Sequence, residues 1–148
     1  MISLFLYLMG GKRVQVKYKV TPKMEHLIFF NQIVRQISQD LPNPITYNIL
    51  LILEEAYSNI VKYAELTKDD LITVKFKRTN THFVLELIDK GKEFNPLKEP
   101  LPDPEKTREK TKGGGFGIFL FKNITSKAVY KREKGQNKLL LKIPLKEQ

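Results

Sequence analysis

The sequence predicts an α+β protein, a two-layer α/β sandwich with a mixed, mostly antiparallel sheet. Two observations lead to this prediction. Runs that alternate between apolar and polar residues occur near both ends and in the middle of the chain, and two helical patterns separate the first run from the others. The later runs come in pairs joined by short turns, which favours antiparallel neighbours. With 148 residues, of which 41% are hydrophobic, the chain suits one domain with a single core.

We place that domain at residues 14–148 and treat residues 1–13 as an N-terminal extension of uncertain status. The stretch 1–9 is apolar, but it is too short to span a bilayer and lacks a basic leader. It could be a truncated signal, an extra strand, or an extension upstream of the true start, because Met9 is also a plausible initiator; we favour the extension. The absence of cysteine excludes disulfides and thiolate metal sites and fits a cytoplasmic location.

The first half of the domain reads as a strand followed by two helices. Residues 14–20 alternate and contain β-branched side chains, which predicts a half-buried strand. Thr21 as N-cap and Pro22 as first helical residue predict a helix that continues to about residue 38. The next helix is predicted to begin at Pro44 after an Asn43 cap and to end near residue 64.

Five polar residues of this second helix fall on one narrow stripe opposite its wide apolar surface: Glu54, Glu55, Ser58, Asn59 and Lys62. Glu55 and Asn59 are neighbours, one turn apart. The stripe is either the solvent face of an amphipathic helix or part of a site.

The sequence of the second half of the domain predicts two β-hairpins, with a loop and a helix between them. Strands are expected at 71–78 and 83–89, with Asp89 closing the second, and again at 128–132 and 139–143. Residues 97–112 contain three prolines and nine charges, which predicts a long loop of the kind that often serves as a lid. A short helix is expected to follow, from Gly115 to about residue 125.

Three of these segments contain residues whose chemistry suits a binding or catalytic site. Gly113–Gly117 has four glycines in five positions before a helix, which suits either an anion site or a flexible hinge, and it matches neither a Walker loop nor a dinucleotide fingerprint. A magnesium–triphosphate needs few protein ligands, so the Asn59 carbonyl could suffice. Glu55 could accept a hydroxyl proton or orient a water. Asp89 could accept a hydrogen bond from an exocyclic amine, or simply end a strand before a turn.

The order of these segments resembles the GHKL ATPase superfamily, whose members share the Bergerat-type ATP-binding fold. Glu55–Asn59 resembles the N box of that family, Asp89–Pro96 its first glycine box, and Gly113–Gly117 its second. A closing pattern is similar to that of the anti-sigma-factor serine kinases of bacterial partner-switching systems, and it consists here of Tyr130, Gly135, Asn137, Leu139 and Leu141.

The resemblance implies a role for each matching residue, with ATP and Mg²⁺ as cofactors. Asn59 would bind the metal and Glu55 would be the general base. Asp89 would hold the adenine amino group in a pocket shaped by Gly91. The phosphates would lie beneath the ATP lid on three glycines: Gly113, Gly115 and Gly117.

The resemblance further implies a serine/threonine protein kinase that acts as an anti-sigma factor and phosphorylates a small antagonist protein. The alternative is an ATP-gated protein-binding module without kinase activity. Two departures bear on this choice: Tyr63 stands where many relatives have His, and Ser126-Lys127 where they often have an acidic residue. The expected partners are a sigma factor and the antagonist, with a homodimer, no direct nucleic acid and no membrane. The net charge of +10 comes from basic residues scattered along the sequence, which suits either a solvated surface or docking.

Overall fold

The computed structural model describes residues 4–7, 13–98 and 117–146. Within these ranges the chain forms six strands, three α-helices and a short 3₁₀ turn at Pro96–Lys98. In chain order the elements are β1 Leu4–Tyr7, β2 Val14–Val20, α1 His26–Ile37, α2 Asn43–Tyr63, β3 Ile72–Arg78, β4 His82–Asp89, α3 Gly117–Ile124, β5 Lys127–Glu133 and β6 Gln136–Pro144.

The strands form one sheet in the order β1-β2-β3-β4-β6-β5, and every described pairing is antiparallel. The helices lie against one face of this sheet, which confirms the predicted α+β sandwich. The order also places β6 between β4 and β5, so that the strand ending at Asp89 lies beside the last strand of the chain.

Alternation along the strands explains why one face is the core. In β4 and β6 every second side chain is buried, the period expected when one sheet face packs on helices. The core is rich in aromatic rings, and Phe30 packs edge to face against both Tyr57 and Phe76 with centroids 5.6 and 5.8 Å apart. These contacts join α1, α2 and β3, and so fix α2 across the sheet.

The predicted start of the first helix is wrong. Thr21 and Pro22 precede a turn, and α1 begins at His26. Tertiary contacts explain the difference, because the Tyr57 hydroxyl donates a 2.8 Å hydrogen bond to the Lys23 carbonyl, and Thr21 Oγ1 lies 3.3 Å from His26 Nε2. These bonds hold the segment in a turn that local capping preferences would have made helical.

Two details of the second helix also differ from prediction. Its N-cap residue is Pro42, and Asn43 is already helical and makes no capping bond. Ser58, expected on the polar stripe, is buried, and its hydroxyl donates to the Glu55 carbonyl at 3.2 Å. A hydroxyl that bonds its own helix can face the core, and this is why a polar residue did not mark the solvent side.

The backbone of Leu4–Tyr7 pairs with the strand that begins at Val14 and forms one edge of the sheet. The stretch assigned to an extension therefore includes an extra strand, one of the alternatives for it. None of the helices that the structure describes is long and apolar enough to cross a membrane.

Candidate functional site

Glu55 and Asn59 lie one turn apart on α2, as predicted, and both are half-buried. Burial raises the pKa of the Glu55 carboxyl; the charge of Lys62 opposes this rise and that of Glu54 adds to it. A carboxylate in such a position accepts a proton more readily than one in open solvent. The helix therefore presents a proton acceptor beside an amide.

The first residue of α3 lies against this pair. A Cβ atom added at Gly117 would be 2.9 Å from Glu55 Oε2 and 3.6 Å from Asn59 Nδ2. The absence of a side chain at Gly117 lets the backbone lie close to the Glu55 carboxylate, which would have to move for any larger residue. The helix N-terminus, with its positive dipole end, thus lies beside the two predicted site residues of α2. Gly113 and Gly115, the other predicted phosphate-binding glycines, and most of the predicted lid lie outside the described residues.

Asp89 ends β4 and is only 3% exposed. Its Oδ1 accepts hydrogen bonds from the Gly91 N–H at 2.8 Å and from Asn137 Nδ2 at 3.0 Å. Burial raises the pKa of this carboxyl, while these two bonds and the charge of Arg132 oppose the rise. Within the part of the chain that the structure describes, Oδ2 accepts no hydrogen bond, so one oxygen of the carboxylate stays available to a ligand.

Asn137 of β6 orients that carboxylate. Its Oδ1 accepts a bond of 2.5 Å from the Tyr130 hydroxyl, and its Nδ2 also donates to the Lys92 carbonyl at 2.8 Å. Because Oδ1 is held by a donor, Nδ2 must point toward Asp89, which assigns the amide orientation. The sequence pattern contained both Tyr130 and Asn137 but gave neither a role, and their contact with Asp89 depends on a strand pairing that is remote in sequence.

Gly91 lets the chain after β4 cross the end of α2. A Cβ atom at this position would be 2.3 Å from the Ala64 carbonyl oxygen, far inside any possible contact. The same carbonyl accepts the Lys92 N–H at 2.8 Å, and Arg132 Nη1 donates to the Gly91 carbonyl at 2.7 Å. Sequence reasoning missed Ala64 and Arg132, because no local motif marks either residue.

A cleft opens between these elements, and Asp89 and Asn59 both line it. Its other lining residues come from α2 and its C-cap, from β4 and the segment after it, and from the last hairpin: Ala56, Ile60, Ala64, Leu87, Phe94, Pro96, Tyr130, Asn137 and Leu139. Apolar walls with a few fixed polar groups are the usual lining of a small-molecule site. The predicted adenine residue and the predicted metal residue therefore share one cavity.

Tyr63, the residue that departs from the pattern of many relatives, stands beside this cleft. Its ring lies against Phe94 with centroids 5.3 Å apart and planes at 31°, and the residue is 42% exposed. It contacts the wall of the cleft through Phe94 and is not among the lining residues.

The described residues contain no group of three or more His, Cys, Asp or Glu that could hold a metal by themselves. The predicted magnesium site does not need one, since Mg²⁺ keeps waters and takes phosphate oxygens as ligands. Two features of the residues suit a bound nucleotide: the N–H groups at the start of α3 lie close to Glu55 and Asn59, and Asp89 offers an acceptor inside an apolar cleft.

Comparison with known families gives a match over most of the chain. A family model described as "Histidine kinase-like ATPase domain" matches residues 20–143. The matched range runs from the last residue of β2 into β6, and so includes α2, the end of β4 and Asn137. No curated protein sequence matches the chain.

Proposed function

The chain belongs to the histidine kinase-like ATPase family, a membership that implies ATP binding, and we propose that it is a regulatory serine/threonine protein kinase that acts as an anti-sigma factor. Its substrate would be a serine or threonine of a small antagonist protein, and its second partner would be a sigma factor. ATP with Mg²⁺ would be the phosphoryl donor, and the kinase would be a homodimer. The observation that carries the proposal is the approach of Gly117 to Glu55 and Asn59.

Adenine recognition falls to Asp89. Its Oδ1 is fully engaged by Gly91 and Asn137, so Oδ2 is the acceptor for the exocyclic amine. Guanine carries a carbonyl at the corresponding ring position, and two acceptors facing each other would leave a buried group unpaired. The cleft should therefore select ATP over GTP.

Phosphoryl transfer would depend on α2 and the start of α3. Asn59 would hold the metal, which supplies charge neutralisation of the phosphates. Glu55 would take the proton from the acceptor hydroxyl, and burial keeps the pKa of its carboxyl above the ordinary value, toward the range useful to a base. The N–H groups at the start of α3 would face the negative charge of the phosphates.

One observation supports a second candidate, an ATP-gated binding module without transfer activity. Among the described residues, no side chain donates a hydrogen bond to the Glu55 carboxylate, whereas a general base is commonly oriented by a third group. Such a module would grip its protein partner when ATP is bound and would not phosphorylate it.

Calorimetric titration tests the nucleotide site first. ATP and GTP, each with and without Mg²⁺, are titrated into the wild type and into Asp89→Asn. We expect the wild type to bind ATP tightly when Mg²⁺ is present and not to bind GTP. We expect the variant to lose ATP binding. Equal binding of GTP, or full binding by the variant, would remove Asp89 from adenine recognition.

Transfer of labelled γ-phosphate to a purified candidate antagonist then separates the two functions. The Glu55→Gln variant should bind ATP as the wild type does and transfer no phosphate. Transfer at the wild-type rate would remove Glu55 as the base. A wild type that binds ATP and captures its partner, but transfers nothing, would establish the binding module instead.

A further inference from the structure

The face of the sheet that points away from the helices carries most of the protein's net charge. On this face the alternate positions of β2, β3, β5 and β6 hold eight lysines, which we call the lysine face: Lys17, Lys19, Lys75, Lys77, Lys127, Lys131, Lys138 and Lys142. Only two acidic residues share the same strand positions, Glu86 and Glu133. Eight positive and two negative charges leave +6 on one surface, out of +10 for the whole chain.

The register of the strands sets lysines directly opposite one another. Three cross-strand pairs of the sheet are Lys–Lys pairs: Lys17 with Lys75, Lys127 with Lys142, and Lys131 with Lys138. Like charges in directly opposite positions destabilise a sheet. Within the described residues, only two lysines of this face form ion pairs. Lys75 Nζ lies 3.8 Å from Glu86 Oε1, and Lys138 Nζ lies 3.7 Å from Glu133 Oε2.

Protection of sheet edges does not account for this arrangement. Lysines on an edge strand prevent pairing with other chains, and this explains Lys127 and Lys131 on the edge strand β5. It does not explain Lys75 and Lys77 on β3, or Lys138 and Lys142 on β6, because these strands have neighbours on both sides. A surface that keeps repelling charges on its inner strands is suited to an anionic partner.

The residue types on this face indicate what kind of anion it meets. Its described strand positions include no arginine and no Phe, Tyr or Trp. Arginine is the usual choice for bidentate contacts to individual carboxylates or phosphates, and aromatic rings stack on nucleic-acid bases. Protein interfaces are enriched in both residue types and depleted in lysine. Lysine side chains act as point charges, which suits an extended negative surface without fixed geometry. A second copy of this chain is disfavoured as the partner, because two faces of charge +6 would repel each other.

We propose that the lysine face binds the surface of an anionic membrane, as a peripheral electrostatic contact. Each lysine near an anionic leaflet adds to the attraction without any fixed geometry. The proposal differs from the sequence-based expectation of no membrane partner. That expectation treated the basic residues as scattered, whereas strand pairing gathers eight lysines on one face. Asn137 and Lys138 are consecutive residues on opposite sides of the sheet, so the bound protein holds its cleft away from the membrane.

Vesicle sedimentation tests the proposal with two variants of equal charge. The first replaces four residues of the lysine face with Gln: Lys17, Lys75, Lys138 and Lys142. The control replaces four exposed lysines elsewhere with Gln: Lys23, Lys68, Lys122 and Lys146. Vesicles of phosphatidylcholine, with and without phosphatidylserine, are used at low and at high salt. ATP binding by each variant confirms that it folds.

The wild type and the control should sediment with phosphatidylserine vesicles at low salt, and not with phosphatidylcholine alone. The face variant should lose about two to three orders of magnitude in partitioning, from four lysines removed. Equal loss in both variants would mean that total charge, not this face, attracts the membrane. Binding of duplex DNA or polyglutamate without binding of vesicles would assign the face to another class of partner. Either result, or no vesicle binding by the wild type, overturns the proposal.

Discussion

Replacement of Asn137 by Ala should reduce both stability and ATP affinity, because this one amide supports the buried carboxylate of the cleft. Asn137 is 5% exposed and takes part in three hydrogen bonds, to Asp89, Lys92 and Tyr130. A buried polar group that loses its partner costs about 1–3 kcal/mol. Asp89 Oδ1 keeps its bond from Gly91, and water can reach the partly exposed groups, so we expect a total of about 2–4 kcal/mol.

The loss of ATP affinity follows from the freedom that Asp89 gains. Without the amide, the carboxylate can rotate and Oδ2 no longer points to one place in the cleft. A hydrogen bond to a charged group is worth about 1.5–3 kcal/mol, so the dissociation constant for ATP should rise roughly 10- to 100-fold. Denaturant unfolding measures the first effect and calorimetry the second.

Asn123→Ala is the matched control, since Asn123 is exposed and, among the described residues, its Nδ2 donates to the Phe119 carbonyl alone, at 2.7 Å. Its free energy of unfolding should stay within about 0.5 kcal/mol of the wild type. If Asn137→Ala unfolds as easily as the control and binds ATP like the wild type, the positioning of Asp89 is refuted. A less stable variant with unchanged ATP affinity would leave Asn137 as a structural residue only.

Three further substitutions test other contacts. Burial raises the pKa of Asp89 above its ordinary 3.8, so its favourable contribution to stability is present below that pH and is lost as the pH rises through the raised pKa. The stability of Asp89→Asn relative to wild type should therefore increase from acid to neutral pH in denaturant unfolding, and a difference that ignores pH would contradict this. The Cβ of Gly91→Ala would lie 2.3 Å from the Ala64 carbonyl oxygen, whereas that of Gly135→Ala, at φ +73°, has no atom within 4 Å. Gly91→Ala should therefore lower the thermal midpoint more than Gly135→Ala does. Gly91→Ala should also lose ATP binding, and Gly135→Ala should retain it. Lys142→Glu places a negative charge directly opposite Lys127 and should raise the free energy of unfolding by about 0.2–1 kcal/mol, measured by denaturant unfolding. A lower free energy of unfolding would contradict the like-charge argument.

The elements of this fold could largely be predicted from local patterns. The strand at residues 14–20 was predicted with its observed bounds, and the other predicted strands and α2 differ from the structure by a few residues. Period and turn chemistry determine such segments, because each is short enough to be encoded by adjacent residues. The start of α1 could not be predicted in this way, since the Tyr57 hydroxyl that holds the preceding turn comes from another helix.

The candidate site likewise contains some residues that local motifs predict and others that they do not. Glu55, Asn59, Asp89 and Gly91 stand in short motifs, and the structure places Asn59 and Asp89 in one cleft. What the motifs could not show is how Asp89 is held, because its amide donor Asn137 comes from a strand 48 residues later. A partner of this kind becomes visible only when the pairing of strands is known.

β6 pairs with β5 in a hairpin and with β4 on its other side, and its register decides which of its side chains reach each surface of the sheet. The two-residue turn at Lys134 and Gly135, with φ of 50° and 73°, places Glu133 opposite Gln136 and fixes the register of this hairpin. The pairing of β6 with β4 sets Asn137 opposite Asp89, so Asn137 faces the cleft and Lys138 faces the opposite side. A slip of one residue would exchange the two, removing the amide from Asp89 and placing a lysine in the core. The cleft and the lysines of β6 therefore depend on the same register, and they lie on opposite sides of the sheet.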